Sequence, residues 1–137
     1  EISFPGGTQD QEDRDSLETA LRETEEEMGI LREDVTVLGE LDEVATNSGF
    51  LIRPYVGTIA YPYPFKPSNL EIAEVLEVPI DALQDPANVR VESQWDQGQL
   101  TTSYAYAYDK HLIFGATARI LQQFLDLLAN GMAKEAN

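Results

Sequence analysis

Leu17, Leu21, Thr24 and Met28 recur at spacings of four, three and four residues. On a helix these positions share one face, and Glu23, Glu26 and Glu27 gather on nearly the opposite one. The pattern predicts an amphipathic helix over 16–28. Asp15 is placed to cap its first turn with Glu18 at the third helical position, and Gly29 follows its last residue.

The rest of the chain alternates between strand-like and turn-like stretches. Ile2-Ser3-Phe4 reads as the end of a strand running into Pro5-Gly6-Gly7. Strands are predicted over 35–41 and 50–59, with Pro54 forcing an edge or a bulge in the second. Residues 61–69, with prolines at 62, 64 and 67, read as a loop. Strands follow over 71–78, 89–93 and 100–108, the last with tyrosines at every second position from Tyr104 to Tyr108. A short helical turn is predicted over 79–83 and a tight turn at Asp96-Gln97-Gly98. His111 reads as a loop residue. A final helix runs to about Ala129, with Ile120, Phe124, Leu127 and Leu128 as its apolar stripe and Asn130-Gly131 as its end.

Composition changes little in this picture; charge changes more. At 137 residues and 42% hydrophobic content the chain has the size of one domain with a real core. With no cysteine there is no disulfide framework and no thiolate chemistry, which suits a reducing, cytoplasmic setting. One histidine supports neither a His-rich metal site nor a Ser-His-Asp triad. The net charge of −16 argues against nucleic acid and anionic membrane as partners, because both attract basic surfaces. It would also repel a polyphosphate unless bound cations inverted the local field.

The acidic helix face therefore acquires a meaning. Like charges three and four residues apart repel by a few tenths of a kcal/mol. Hard divalent cations such as Mg²⁺ relieve this with carboxylate and phosphate oxygens. A solvated acidic face is the plain alternative, and an ordinary surface ion pair with Glu18 or Glu26 is the plain reading of Arg22.

The flanking residues favour the metal reading. The stretch from Phe4-Pro5-Gly6-Gly7 to Ile30 resembles the Nudix box, G-x5-E-x7-R-E-U-x-E-E-x-G-U, with U a bulky apolar residue. Arg22-Glu23-Thr24-Glu25-Glu26-Glu27-Met28-Gly29-Ile30 matches the second half, with Thr24 in the first U position. Fourteen residues separate Gly7 from Arg22, one more than in the pattern. The acid expected eight residues before the arginine falls on Arg14, and Asp13 substitutes for it. Phe4-Pro5-Gly6-Gly7, the extended loop, and Ile113-Phe114-Gly115-Ala116-Thr117-Ala118-Arg119-Ile120-Leu121 are similar to the coenzyme A pyrophosphatase branch of that superfamily.

The resemblance implies an α/β fold, a Nudix-type α/β/α sandwich with a mixed sheet. Its upstream strands are expected to be missing, so that 1–130 form an N-terminally incomplete domain and 131–137 a tail. It implies Mg²⁺, or Mn²⁺, held by Glu23, Glu26 and Glu27. The implied catalytic set is Glu26, Arg22 and Glu71, with Arg22 fixing a ligating glutamate and Glu74 in reserve for Glu71. Gly6 and Gly7 would let the backbone turn beside the substrate. The implied reaction is hydrolysis of the pyrophosphate bond of coenzyme A or acyl-coenzyme A to 3′,5′-ADP and a 4′-phosphopantetheine compound. Another nucleoside diphosphate derivative, such as ADP-ribose, NADH or a dinucleotide, is the alternative substrate. A non-catalytic Nudix-like binding domain and an acidic interaction domain are the alternatives of another class. A homodimer is an open option.

Overall fold

The computed structural model describes residues 2–68 and 74–136. The chain divides into two compact units, and the candidate site lies wholly within one of them.

That unit comprises Phe4–Leu41 and Arg53–Glu77. Its helix, α1, spans Ser16–Met28 as the apolar spacing predicts. Asp15 caps it by accepting from the Glu18 amide at 2.9 Å. The carboxylate of Glu18 does not reach back to complete a capping box, because Arg14 Nε holds it at 2.8 Å. Gly29 closes the helix in the left-handed conformation, its N–H donating to Glu25 O at 2.9 Å. A single 3₁₀ turn, Arg32–Asp34, leads into β1, Thr36–Glu40.

The stretch expected as one strand over 50–59 is broken at Arg53-Pro54. Pro54 has no N–H for a ladder, but its carbonyl accepts from Leu41 N at 2.9 Å. Beyond it, β4 (Tyr55–Thr58) pairs antiparallel with β1, from Glu40↔Tyr55 to Thr36↔Thr58, with an irregularity between Val37 and Gly39. The apolar face of α1 looks toward these strands across a cavity of about 230 Å³, lined by Leu17, Leu21, Ile30, Val37, Tyr55 and Ile59 among others. Ser16 Oγ and Tyr55 Oη, 2.5 Å apart, tie the start of α1 to β4.

The second unit comprises Glu1–Ser3, Asp42–Ile52 and Val78–Asn137. Within it, β2 (Val44–Ala45) and β3 (Leu51–Ile52) form a small antiparallel ladder. A short helix, α2 (Ile80–Gln84), precedes a meander of β5 (Val89–Asp96), β6 (Gln99–Tyr108) and β7 (His111–Ile113). The β5–β6 hairpin turns on Gln97-Gly98, both at positive φ, as a two-residue hairpin requires. The long helix α3 spans Gly115–Ala136. The core of this unit is Leu83, Tyr106, Ile113, Ala118, Leu121 and Leu125. Gln123 on α3 bonds both Asp42 N, at 2.9 Å, and Asp42 O, at 3.1 Å.

Four expectations need correction here. His111 belongs to β7 and pairs with Tyr108. Helix α3 does not stop at Asn130-Gly131; one glycine costs about 1 kcal/mol in a helix interior and does not by itself end it. Leu127 is 59% exposed, whereas Ile120 is buried and Phe124 packs on the core as expected, with Leu121 and Leu125 buried beside them. Residues 74–79 are not a strand, while 69–73 lie outside the described residues. The class expected from the sequence stands: the chain is a mixed α/β structure. Every strand pairing among the described residues is antiparallel.

Candidate active site

The site begins with a buried carboxylate. Residues 8–15 form a polar loop in front of α1, and one of them, Asp13, turns inward until its side chain is 3% exposed. Its Oδ2 accepts from Asp10 N at 2.8 Å and Thr19 Oγ1 at 3.0 Å. Arg22 binds it through Nε at 3.1 Å and Nη2 at 3.0 Å. These bonds, the arginine's first, hold the Asp13 carboxyl at about 2, below its ordinary 3.8. The same pairing raises the Arg22 guanidinium further above its ordinary range.

Arg22 thereby becomes a hub. While Nε and Nη2 face Asp13, Nη1 faces up the helix and donates to Glu23 Oε1 and Glu26 Oε1, each at 3.2 Å. Nη2 also reaches Thr8 O at 3.3 Å. The expected pairing of Arg22 with Glu26 is present; the alternative with Glu18 is not among its contacts, since Arg14 takes that carboxylate. Asp13 was legible in the sequence as the displaced acid of the motif. Its burial, and its grip on Arg22 nine residues later, were not.

The glycine pair lies against the acidic face. Gly6 N donates to Glu27 Oε2 at 3.2 Å. A Cβ on Gly7 would lie 2.5 Å from Glu23 Oε1, so a larger residue there has to push the end of that side chain aside. A Cβ on Gly6 would meet nothing within 4 Å. The structure thus brings Gly6, Gly7, Arg22, Glu23, Glu26 and Glu27 together. Glu71 lies outside the described residues.

Among the described residues, no three acidic or histidine side chains converge as a ready ligand cluster. Glu23 and Glu26 share Arg22, and Glu27 is held by Gly6 N. Three carboxylates on one helix nonetheless offer the oxygen donors that a hard divalent ion takes.

Comparison with known proteins decides the family. The NUDIX domain matches residues 1–95, which include the whole of this site. The chain belongs to the Nudix family. It is similar to Nudix proteins of three enterobacteria, each named "uncharacterized Nudix hydrolase NudL". Identity is 35% over 123 residues in Photorhabdus laumondii and 38% over 126 in Pectobacterium atrosepticum. It is 32% over 122 residues in Yersinia pestis. These alignments cover 89–90% of this chain but only 61–66% of the relatives, so the chain spans less than two thirds of their length. Nudix enzymes in general use divalent metal ions. No helix among the described residues is long and apolar enough to cross a membrane.

Proposed function

We propose that this Nudix chain carries a metal-dependent pyrophosphohydrolase site for a nucleoside diphosphate derivative, with coenzyme A or an acyl-coenzyme A as the substrate. The observation that carries the reading is the stacking of the Gly6-Gly7 loop on Glu23 and Glu27, beside an arginine anchored on buried Asp13. The coenzyme A assignment rests on Phe4-Pro5-Gly6-Gly7, the loop one residue longer than the box, and the Phe114–Leu121 stretch.

Glu23, Glu26 and Glu27 would hold Mg²⁺ or Mn²⁺, which when bound neutralises phosphate charge and acidifies a water. The protein's own part is positioning and charge. Arg22 orders Glu23 and Glu26 while Asp13 keeps Arg22 from swinging away. Without cations, a chain of net charge −16 would repel the diphosphate it must bind. Glu26 or Glu71 takes the proton from the water that attacks phosphorus. Gly6 and Gly7 keep the substrate-side loop close to the carboxylates.

The test is incubation with Mg²⁺ and a panel of coenzyme A, ADP-ribose, NADH and dinucleotides, with products separated by chromatography. Preferential release of 3′,5′-ADP from coenzyme A is expected. Turnover of ADP-ribose or NADH alone would discard the coenzyme A branch and keep the site. No turnover with Mg²⁺ or Mn²⁺ would favour a binding domain.

A further inference from the structure

The last carbonyls of a helix have no partner within it and must find one elsewhere. At the end of α1 the partners come from the proline-rich loop. Lys66 N donates to Met28 O and Ser68 N to Glu27 O, both at 2.9 Å. The approach is close enough that a Cβ on Gly29 would lie 2.7 Å from Lys66 Cβ and 2.9 Å from Lys66 N. Gly29 therefore does two things: it adopts the left-handed cap, and it leaves room for this crossing segment.

The segment has a second attachment. Tyr63 Oη accepts from Leu31 N at 2.9 Å and donates to Asp34 Oδ2 at 2.6 Å. Its ring packs on Phe65, with centroids 5.6 Å apart. Prolines at 62, 64 and 67 fix φ along the segment, so a hold at Tyr63 is transmitted to Ser68 rather than lost in slack. Glu27 is consequently gripped from two sides. Its carbonyl is bound by Ser68 N, and its carboxylate by Gly6 N.

We infer that residues 61–68 are a brace that positions Glu27 for metal binding, and that Tyr63 is its latch. The inference rests on the reading of Glu27 as a metal ligand and adds a positioning role for residues that lie off the acidic face. Tyr63 touches neither metal nor substrate in this scheme. It acts through the backbone of the helix end, where a displacement well under 1 Å is enough to spoil a carboxylate's placement.

Mn²⁺ binding to the chain, read from the free-ion electron paramagnetic resonance signal, tests this without recourse to turnover. Tyr63→Phe keeps the ring and removes the hydroxyl; Asp34→Ala removes the acceptor; Asp34→Asn retains one. The first two should weaken Mn²⁺ binding about tenfold, the size typical of outer partners of metal ligands. Asp34→Asn should stay near wild type. Hydrogen exchange at the Lys66 and Ser68 amides should quicken in step with the loss, with helical circular dichroism retained. Glu27→Gln is the control. If it weakens Mn²⁺ binding while Tyr63→Phe and Asp34→Ala bind as wild type, the brace is overturned and the metal face stands. If Glu27→Gln itself binds as wild type, the metal reading falls and takes the brace with it.

Discussion

Asp13 and Arg22 are joined by three hydrogen bonds, from Arg22 Nε to Oδ1 at 3.1 Å and Oδ2 at 3.3 Å and from Nη2 to Oδ2 at 3.0 Å. The arginine's remaining nitrogen faces Glu23 and Glu26. A loop carboxylate thus decides where a helix arginine, and through it two further carboxylates, can stand. Asp13→Asn keeps an oxygen for Asp10 N and Thr19 but loses the charge that holds Arg22. The expected result is kcat down about tenfold with KM little changed, as for the loss of a partner behind a ligand. Steady-state kinetics on the substrate proposed above measures it, and an unchanged kcat would remove Asp13 from the mechanism.

The same pair makes stability depend on acid. The folded-state pKa of Asp13, about 2, is depressed from 3.8. A depressed carboxyl contributes stability that is fully present above its unfolded pKa and lost as pH falls through the folded one. Stability should therefore decline between about pH 4 and pH 2. Denaturant unfolding over that range should show a shallower decline in Asp13→Asn; equal slopes in the two proteins would contradict the assignment.

Glu27→Gln should separate chemistry from fold. The amide still offers an oxygen to Gly6 N, so the loop contact can persist. The charge that would bind the cation is gone. Metal ions contribute several kcal/mol of charge stabilisation in phosphoryl transfer, so turnover should fall on the order of a thousandfold. A melting temperature near wild type, together with that loss, is the expected pair of results.

The two glycines of the loop should behave oppositely. Gly7→Ala places a Cβ 2.5 Å from Glu23 Oε1 and must displace that side chain or the loop. Gly6→Ala meets nothing within 4 Å. Mn²⁺ binding should weaken in the first and hold in the second. Equal effects would mean that the loop's approach to Glu23 is unimportant.

Much of this site could be read from residue order because it sits on one helix, where spacing fixes neighbourhood. The Leu17, Leu21, Thr24 and Met28 stripe, the Asp15 cap and the Gly29 stop all predicted α1 within its observed bounds. Long-range pairing was harder. Nothing local says that Asp13 turns inward or that Tyr63 reaches Leu31 and Asp34. Those contacts depend on how segments pack, and polar loop residues look alike in sequence until packing selects one. The break at Pro54 was anticipated as an edge or bulge, yet the separation of the two strands around it into different units was not. In α3, Asn130-Gly131 resembled an ending because a helix stop signal is a matter of backbone conformation, and the sequence supplies only permission.

The attachments of α1 also bear on the order in which the site can form. Its first turn is tied to Tyr55, and its last carbonyls to Lys66 and Ser68. Both ties come from residues well after the helix itself, with 42–52 belonging to the other unit. A 13-residue helix is marginal by itself in water. During synthesis from the N-terminus, the acidic face is therefore made early but secured late. A ribosome-held chain ending before Tyr55 would carry every residue of the glutamate face but neither the Tyr55 tie at the start of α1 nor the Lys66 and Ser68 ties at its end.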